Sequence, residues 1–104
     1  MIKNLKFDEH MQYNDEAVLL KDAISYLSSL SQTRLLRIND NCHRGYADLI
    51  VCFKGHFVAI ELKDKTGKPS EHQKYFLDTI IKAQGTAGIA HNLYEIKALL
   101  KSVI

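Results

Sequence analysis

Asp48, Glu61 and Lys63 are the residues of this chain whose types and spacing suit hydrolytic chemistry on a phosphate. They fall in the stretch from Gly45 to Gln73, which reads as a β-hairpin. Tyr46 to Phe53 and His56 to Lys63 are runs rich in apolar and β-branched residues, and Lys54-Gly55 between them is a turn signal. A two-residue loop places Phe53 opposite His56, and a four-residue loop pairs Cys52 with Phe57. Both put Asp48 directly opposite Glu61. Side chains on a strand alternate between faces, so Glu61, Lys63 and Asp48 share one side of an otherwise apolar hairpin. Two facing carboxylates repel by roughly 0.2 to 1 kcal/mol, and by more when buried. A hard divalent cation such as Mg²⁺ relieves that repulsion, because it takes oxygen ligands and is commonly bound by one or two carboxylates plus a phosphate. Lys63 would then stand beside the scissile phosphate and the water that attacks it. A solvated sheet face on which Lys63 simply pairs with Glu61 accounts for the same residues, and the hairpin alone does not choose between the two.

The same stretch carries a resemblance. Gly45-Tyr46-Ala47-Asp48, Gly55, Ile60-Glu61-Leu62-Lys63, Gly67 and Ser70-x-x-Gln73, in that order, resemble the PD-(D/E)xK nuclease motif in its VRR-NUC form, as found in stand-alone phage and bacterial proteins. Ala47 stands where that family has proline before the aspartate, a departure that alters the approach to the strand and removes no ligand. The resemblance implies a DNA endonuclease dependent on Mg²⁺ or Mn²⁺. Asp48 and Glu61 would be metal ligands, the backbone carbonyl of Leu62 an additional one, Lys63 catalytic, and Gln73 a further active-site residue. It also implies an acidic ligand from the first helix, for which Glu16 is the candidate.

Several elements must position these groups. Asn14 or Asp15 can cap a helix running to about Leu30, and Glu16, Leu19, Leu20, Ala23, Ile24, Leu27 and Leu30 fall on one side of it. An acid in a first turn suits the helix dipole, which explains why Glu16 is tolerated but not why it lies on the apolar side. Met1 to Tyr13 shows little periodicity and reads as a lead-in. Thr33 to Ile38 reads as a strand, and Asn39-Asp40-Asn41 as a turn. After Lys63 a polar loop, Asp64 to Pro69, delivers the chain to a helix opened by Ser70 and Gln73, a capping box. Capping and catalysis therefore compete for the Gln73 side chain. That helix runs to about Gln84, and Gly85 is expected to end it. Thr86 to His91 reads as an interior strand, and Asn92 with Glu95 as a second capping box opening a final helix. The order α-β-β-β-α-β-α predicts an α/β fold in which helices flank a mixed sheet, and it agrees with a restriction-endonuclease-like core.

A chain of 104 residues is expected to form one domain over 1–104. Its 46% hydrophobic and 25% charged residues suggest neither disorder nor membrane insertion. The net charge of +2 does not make a polycation, so any contact with nucleic acid must come from local placement of cations. Arg44, Lys65 and Lys68, which flank the acidic residues in sequence, are weak candidates for DNA contacts, and ordinary solvation explains them nearly as well. Two cysteines and no apolar leader suggest a cytoplasmic protein, in the host cytoplasm if phage-encoded. Zinc at Cys42, His43, Cys52 and His56 is set aside, because the spacing follows no usual finger and Cys52 is expected to face the core.

A domain this small has little surface for reading base edges, so structure rather than sequence is the expected determinant of substrate. A two-fold homodimer would offer two sites to two strands, which suits a four-way (Holliday) junction, and the resemblance points the same way. Flap or non-specific duplex DNA cleavage is the alternative. A non-catalytic DNA-binding module that keeps the fold is the rival from another class.

Overall fold

The computed structural model describes residues 8–38 and 47–104. The Asn39-Asp40-Asn41 turn, Cys42, His43, Arg44, Gly45 and Tyr46 lie outside the described residues, as does most of the lead-in. Helix α1 (Glu16–Ser28) starts where Asp15, in extended conformation, accepts the Ala17 N–H on its side chain at 2.8 Å. It leads to β1 (Thr33–Arg37), β2 (Leu49–Phe53) and β3 (His56–Leu62), then α2 (Glu71–Lys82), β4 (Thr86–Ala90) and α3 (Leu93–Lys101). The strands lie in the order β1-β2-β3-β4. The first two pairings are antiparallel and β3 with β4 is parallel, because α2 carries the chain across between them.

The hairpin closes with Phe53 opposite His56, so the loop is the two residues Lys54-Gly55. Both take positive φ, 51° and 86°, the backbone of a type I′ turn, whose twist matches that of the strands. Leu49 pairs with Ile60, and continuing the register by one residue brings Asp48 level with Glu61, as the sequence predicts.

Helices α1 and α3 cover one face of the sheet, where Leu19, Ala23 and Leu27 meet Leu49, Val51, Val58, Ile60, Leu62 and Ile96. Helix α2 covers part of the other through Leu77, Phe76 and Ile80 against Ala59, Ala87 and Ile89. Strand β3 is central, and Val58 to Leu62 are all buried, Glu61 among them. Gly88 on β4 lies so close beneath α3 that a Cβ there would come within 2.7 Å of a Leu99 methyl.

Five local expectations need correction. Among the described residues β4 is an edge strand paired with β3, where an interior strand was expected. Tyr13 is no lead-in: it is 2% exposed in the core, and its hydroxyl donates to Asp22 Oδ2 at 2.6 Å. Cys52 does not face the core. It is exposed on the α2 side of the sheet, because α2 lies over β3 and β4 and leaves that part of β2 uncovered. Burial of Cys52 therefore does not speak against zinc there, while the unusual spacing of the four residues still does. Gly85 is not the left-handed residue that ends α2. Gln84 takes that conformation at φ 72°, its N–H donating to the Ile81 carbonyl and the Gly85 N–H to the Ile80 carbonyl. Gly85 is there for space, since a Cβ would come within 2.8 Å of an Ile80 methyl. The second capping box is only half formed: Asn92 Oδ1 accepts the Glu95 N–H at 2.9 Å, but the Glu95 carboxylate turns to His91 instead.

Candidate active site

The acids come together from three elements. Glu61 stands on β3 on the α2 side, Asp48 leads into β2, and Glu16 opens α1. One ligand oxygen from each lies within 4.8 Å of the others. An open pocket of about 270 Å³ beside them is lined by Glu16, Ala17, Leu20, Arg37, Asp48 and Leu62. Another cavity, of about 220 Å³ between Tyr26, Phe53 and Leu100, contains no acid in its lining, so chemistry rather than size singles out the first.

Asp48 and Glu61 are each held in place. Asp48 Oδ2 accepts the Leu62 N–H at 2.7 Å, and the Asp48 carbonyl accepts the Ile38 N–H at 2.9 Å. Glu61 Oε2 accepts from Gln73 Nε2 at 2.6 Å and pairs with Lys63 Nζ at 3.2 Å. The Lys63–Glu61 pair is not the solvated pairing that would have explained these residues without function, since the two side chains are 17% and 1% exposed. The competition for Gln73 is resolved by its two ends: Oε1 accepts the Ser70 N–H at 2.9 Å, closing the capping box, while Nε2 reaches Glu61. Leu62 is buried at the end of β3 and its side of the strand lines the pocket.

The electrostatics are unfavourable to the acids as they stand. Burial, with the Asp48 charge adding to it, pushes the Glu61 carboxyl up to about 7, against the pull of Lys63. Burial also raises Glu16. There Lys63 opposes the shift, and Asp48, Asp64 and Asp15 add to it. Among the described residues, Glu61 Oε1 is buried and has no hydrogen-bond partner. A buried acceptor left unpaired costs about 1 to 3 kcal/mol, so this oxygen calls for a cation or donor that the described residues do not supply. Hard oxygen ligands around such a lone pair fit Mg²⁺ or Mn²⁺, whereas zinc sites favour nitrogen and sulfur.

Of the three cations proposed for DNA, Lys65 and Lys68 are exposed on the loop after Lys63, and Arg44 lies outside the described residues. Arg37 was not foreseen. It ends β1 opposite Leu49, is exposed, and lines the pocket beside Asp48 and Glu16. The β1–β2 register would have located it, but the connection between those strands, residues 38–48, is too long for sequence to set that register.

A central mixed sheet with α1 and α3 on one face and α2 on the other, in the order α-β-β-β-α-β-α, is a restriction-endonuclease-like fold. Comparison with solved structures finds one described as "VRR_NUC domain", which aligns with a TM-score of 0.70 over 83% of this chain and 94% of that one, at 20% sequence identity. The chain therefore has the fold of a VRR-NUC domain. No family model matches the sequence, and no curated protein matches it.

Proposed function

We propose that this domain hydrolyses phosphodiester bonds in DNA, using Mg²⁺ or Mn²⁺ held by Asp48, Glu61, Glu16 and the Leu62 carbonyl. The observation that carries the reading is the convergence of three carboxylates, one of which, Glu61, has a buried oxygen with no partner among the described residues. An ion bound there would lower the pKa of a water and offset the charge that develops on the phosphate. Lys63, held on Glu61, would present its ammonium to the attacking water and the pentacovalent phosphate. Gln73 fixes the rotamer of Glu61, and through it the direction of the ligand oxygens. Arg37, in the pocket lining with Asp48 and Glu16, supplies the phosphate contact, with Lys65 and Lys68 along the flanking backbone.

The substrate in this reading is branched DNA, four-way junctions before flaps, cut by a homodimer in the cytoplasm. The small pocket face supports structure selectivity over sequence reading. No described helix is long and apolar enough to cross a membrane. The test is cleavage of junction, flap and linear duplex DNA with Mg²⁺ or Mn²⁺ over a salt series, with Asp48→Ala and Lys63→Ala alongside. Activity in the wild type that both variants abolish supports the reading, and equal cleavage by all three refutes the assigned roles. Absence of Mn²⁺ affinity by calorimetry would instead favour a DNA-binding module without catalysis.

A further inference from the structure

We propose that His91 is a positioning residue for Lys63: its ring, carrying both protons, fastens the Asp64–Gly67 turn to the start of α3 and thereby holds that turn against the Lys63 side chain. This rests on the reading of Lys63 as a catalytic group.

The ring sits between two acceptors. Nδ1 lies 2.8 Å from Glu95 Oε1 and Nε2 lies 3.1 Å from the Gly67 carbonyl oxygen. A carboxylate and a carbonyl only accept, and a neutral imidazole has a single N–H, so both bonds form together only with the imidazolium. Glu95 is itself held, because its Oε1 also accepts the His91 N–H at 2.7 Å and its own N–H donates to Asn92 Oδ1. The charged groups that act on the ring are Glu95 from α3 and Asp64 from the turn, both acidic. Burial pulls the imidazole down, but the Glu95 bond, the Gly67 carbonyl and the charge of Asp64 outweigh it and hold the group above its ordinary value.

The glycine that His91 holds also rests on Lys63. A Cβ placed on Gly67 would meet Lys63 Cβ at 3.1 Å, and Lys63 Cδ and Asp64 Oδ1 at 3.3 Å, so the glycine backbone packs closely against the lysine stem. The turn is tightened by its own acid: Asp64 Oδ1 accepts the Thr66 N–H at 3.0 Å and its hydroxyl at 3.2 Å, and the Gly67 N–H donates to the Asp64 carbonyl at 3.0 Å. The Lys63 N–H donates to the carbonyl of Ala90, the residue before His91, at 3.1 Å. The lysine is thus clamped twice by the end of β4, once through its backbone and once through the turn. Its 17% exposure contrasts with the exposed Lys65 and Lys68 of the same loop.

The experiment uses the full chain labelled with ¹³C at lysine. In the wild type, Lys63 Cε relaxation should show a restrained side chain beside freely moving Lys65 and Lys68. In His91→Ala it should become measurably more mobile, while the ion pair to Glu61 still holds the ammonium. Single-turnover cleavage should fall by about 10- to 100-fold, the scale of a misplaced reacting group, with DNA affinity changed by less than about twofold. The ratio of wild-type to variant rate should shrink as pH rises through the His91 titration, and at lower pH in Glu95→Gln, which keeps the volume and removes the charge. Unchanged Lys63 mobility in folded His91→Ala overturns the proposal. If that variant does not fold, unchanged mobility and an unshifted pH profile in Glu95→Gln overturn it equally. A wild type that cuts no DNA would defeat the nuclease reading, while the lysine relaxation would still decide whether His91 holds Lys63.

Discussion

Glu61→Gln should make the metal-free protein more stable, and the size of the gain should depend on pH. Glu61 is fully buried, faces Asp48, and has its carboxyl pushed from 4.5 up to about 7. The folded protein therefore binds this proton more tightly than the unfolded chain does. The associated stability is complete below pH 4.5, declines as pH rises to about 7, and is gone above that. Each pKa unit is worth about 1.4 kcal/mol, so by pH 8 the carboxylate costs the fold on the order of 3 kcal/mol. Glutamine keeps the shape. Its carbonyl can accept from Gln73 and Lys63, and its amide can donate to Asp48, but it carries no charge to desolvate. Thermal unfolding in a chelator should thus place Glu61→Gln above wild type by roughly 10 to 20 °C at pH 8, with the gap closing towards pH 4. Other titrating groups, His91 among them, are present in both proteins and largely cancel in the difference. Adding Mn²⁺ at pH 8 should raise the wild-type midpoint and leave the variant's unchanged. A gap that is the same at pH 5 and pH 8, or a variant less stable than wild type at pH 8, would refute the reasoning that an uncompensated buried charge sits at this position.

Ser70→Ala and Gln73→Ala should each cost about 1 kcal/mol in chemical denaturation, as expected for loss of a helix cap, but only Gln73→Ala should slow cleavage, because only Gln73 also touches Glu61. Arg37→Ala should weaken DNA binding and lower the slope of log affinity against log salt by about one, with the rate at saturating DNA little changed; an unaltered salt slope removes Arg37 from the phosphate contacts. Gln84→Gly should stabilise the protein by about 1 kcal/mol in urea melts, since it relieves a left-handed conformation that a side chain disfavours.

What the chain's order of residues settled is what depends on near neighbours. The hairpin register followed from a two-residue turn, because every cross-strand pair is then counted outward from Lys54-Gly55, and that alone brought Asp48 level with Glu61. Helix starts at Ser70 and Asn92 were legible, and the first was narrowed to Asn14 or Asp15, because a cap acts over three residues. Tertiary packing decided the rest. Whether the Lys63–Glu61 pair was buried or solvated, and whether Gln73 capped a helix or touched an acid, depended on how α2 docks on β3. The arrival of Arg37 beside Asp48 depended on a strand pairing across a long connection. Cys52 was misassigned because alternation along a strand says which residues share a face, while the cover over that face belongs to α2. Tyr13 entered the core through contacts with α1 that no local periodicity signals, and His91 acquired two acceptors only because a parallel strand delivers it beside a turn twenty-four residues away in sequence. Such groups meet because separate layers pack together, and the information for that is spread over the whole core rather than held in any short run of residues.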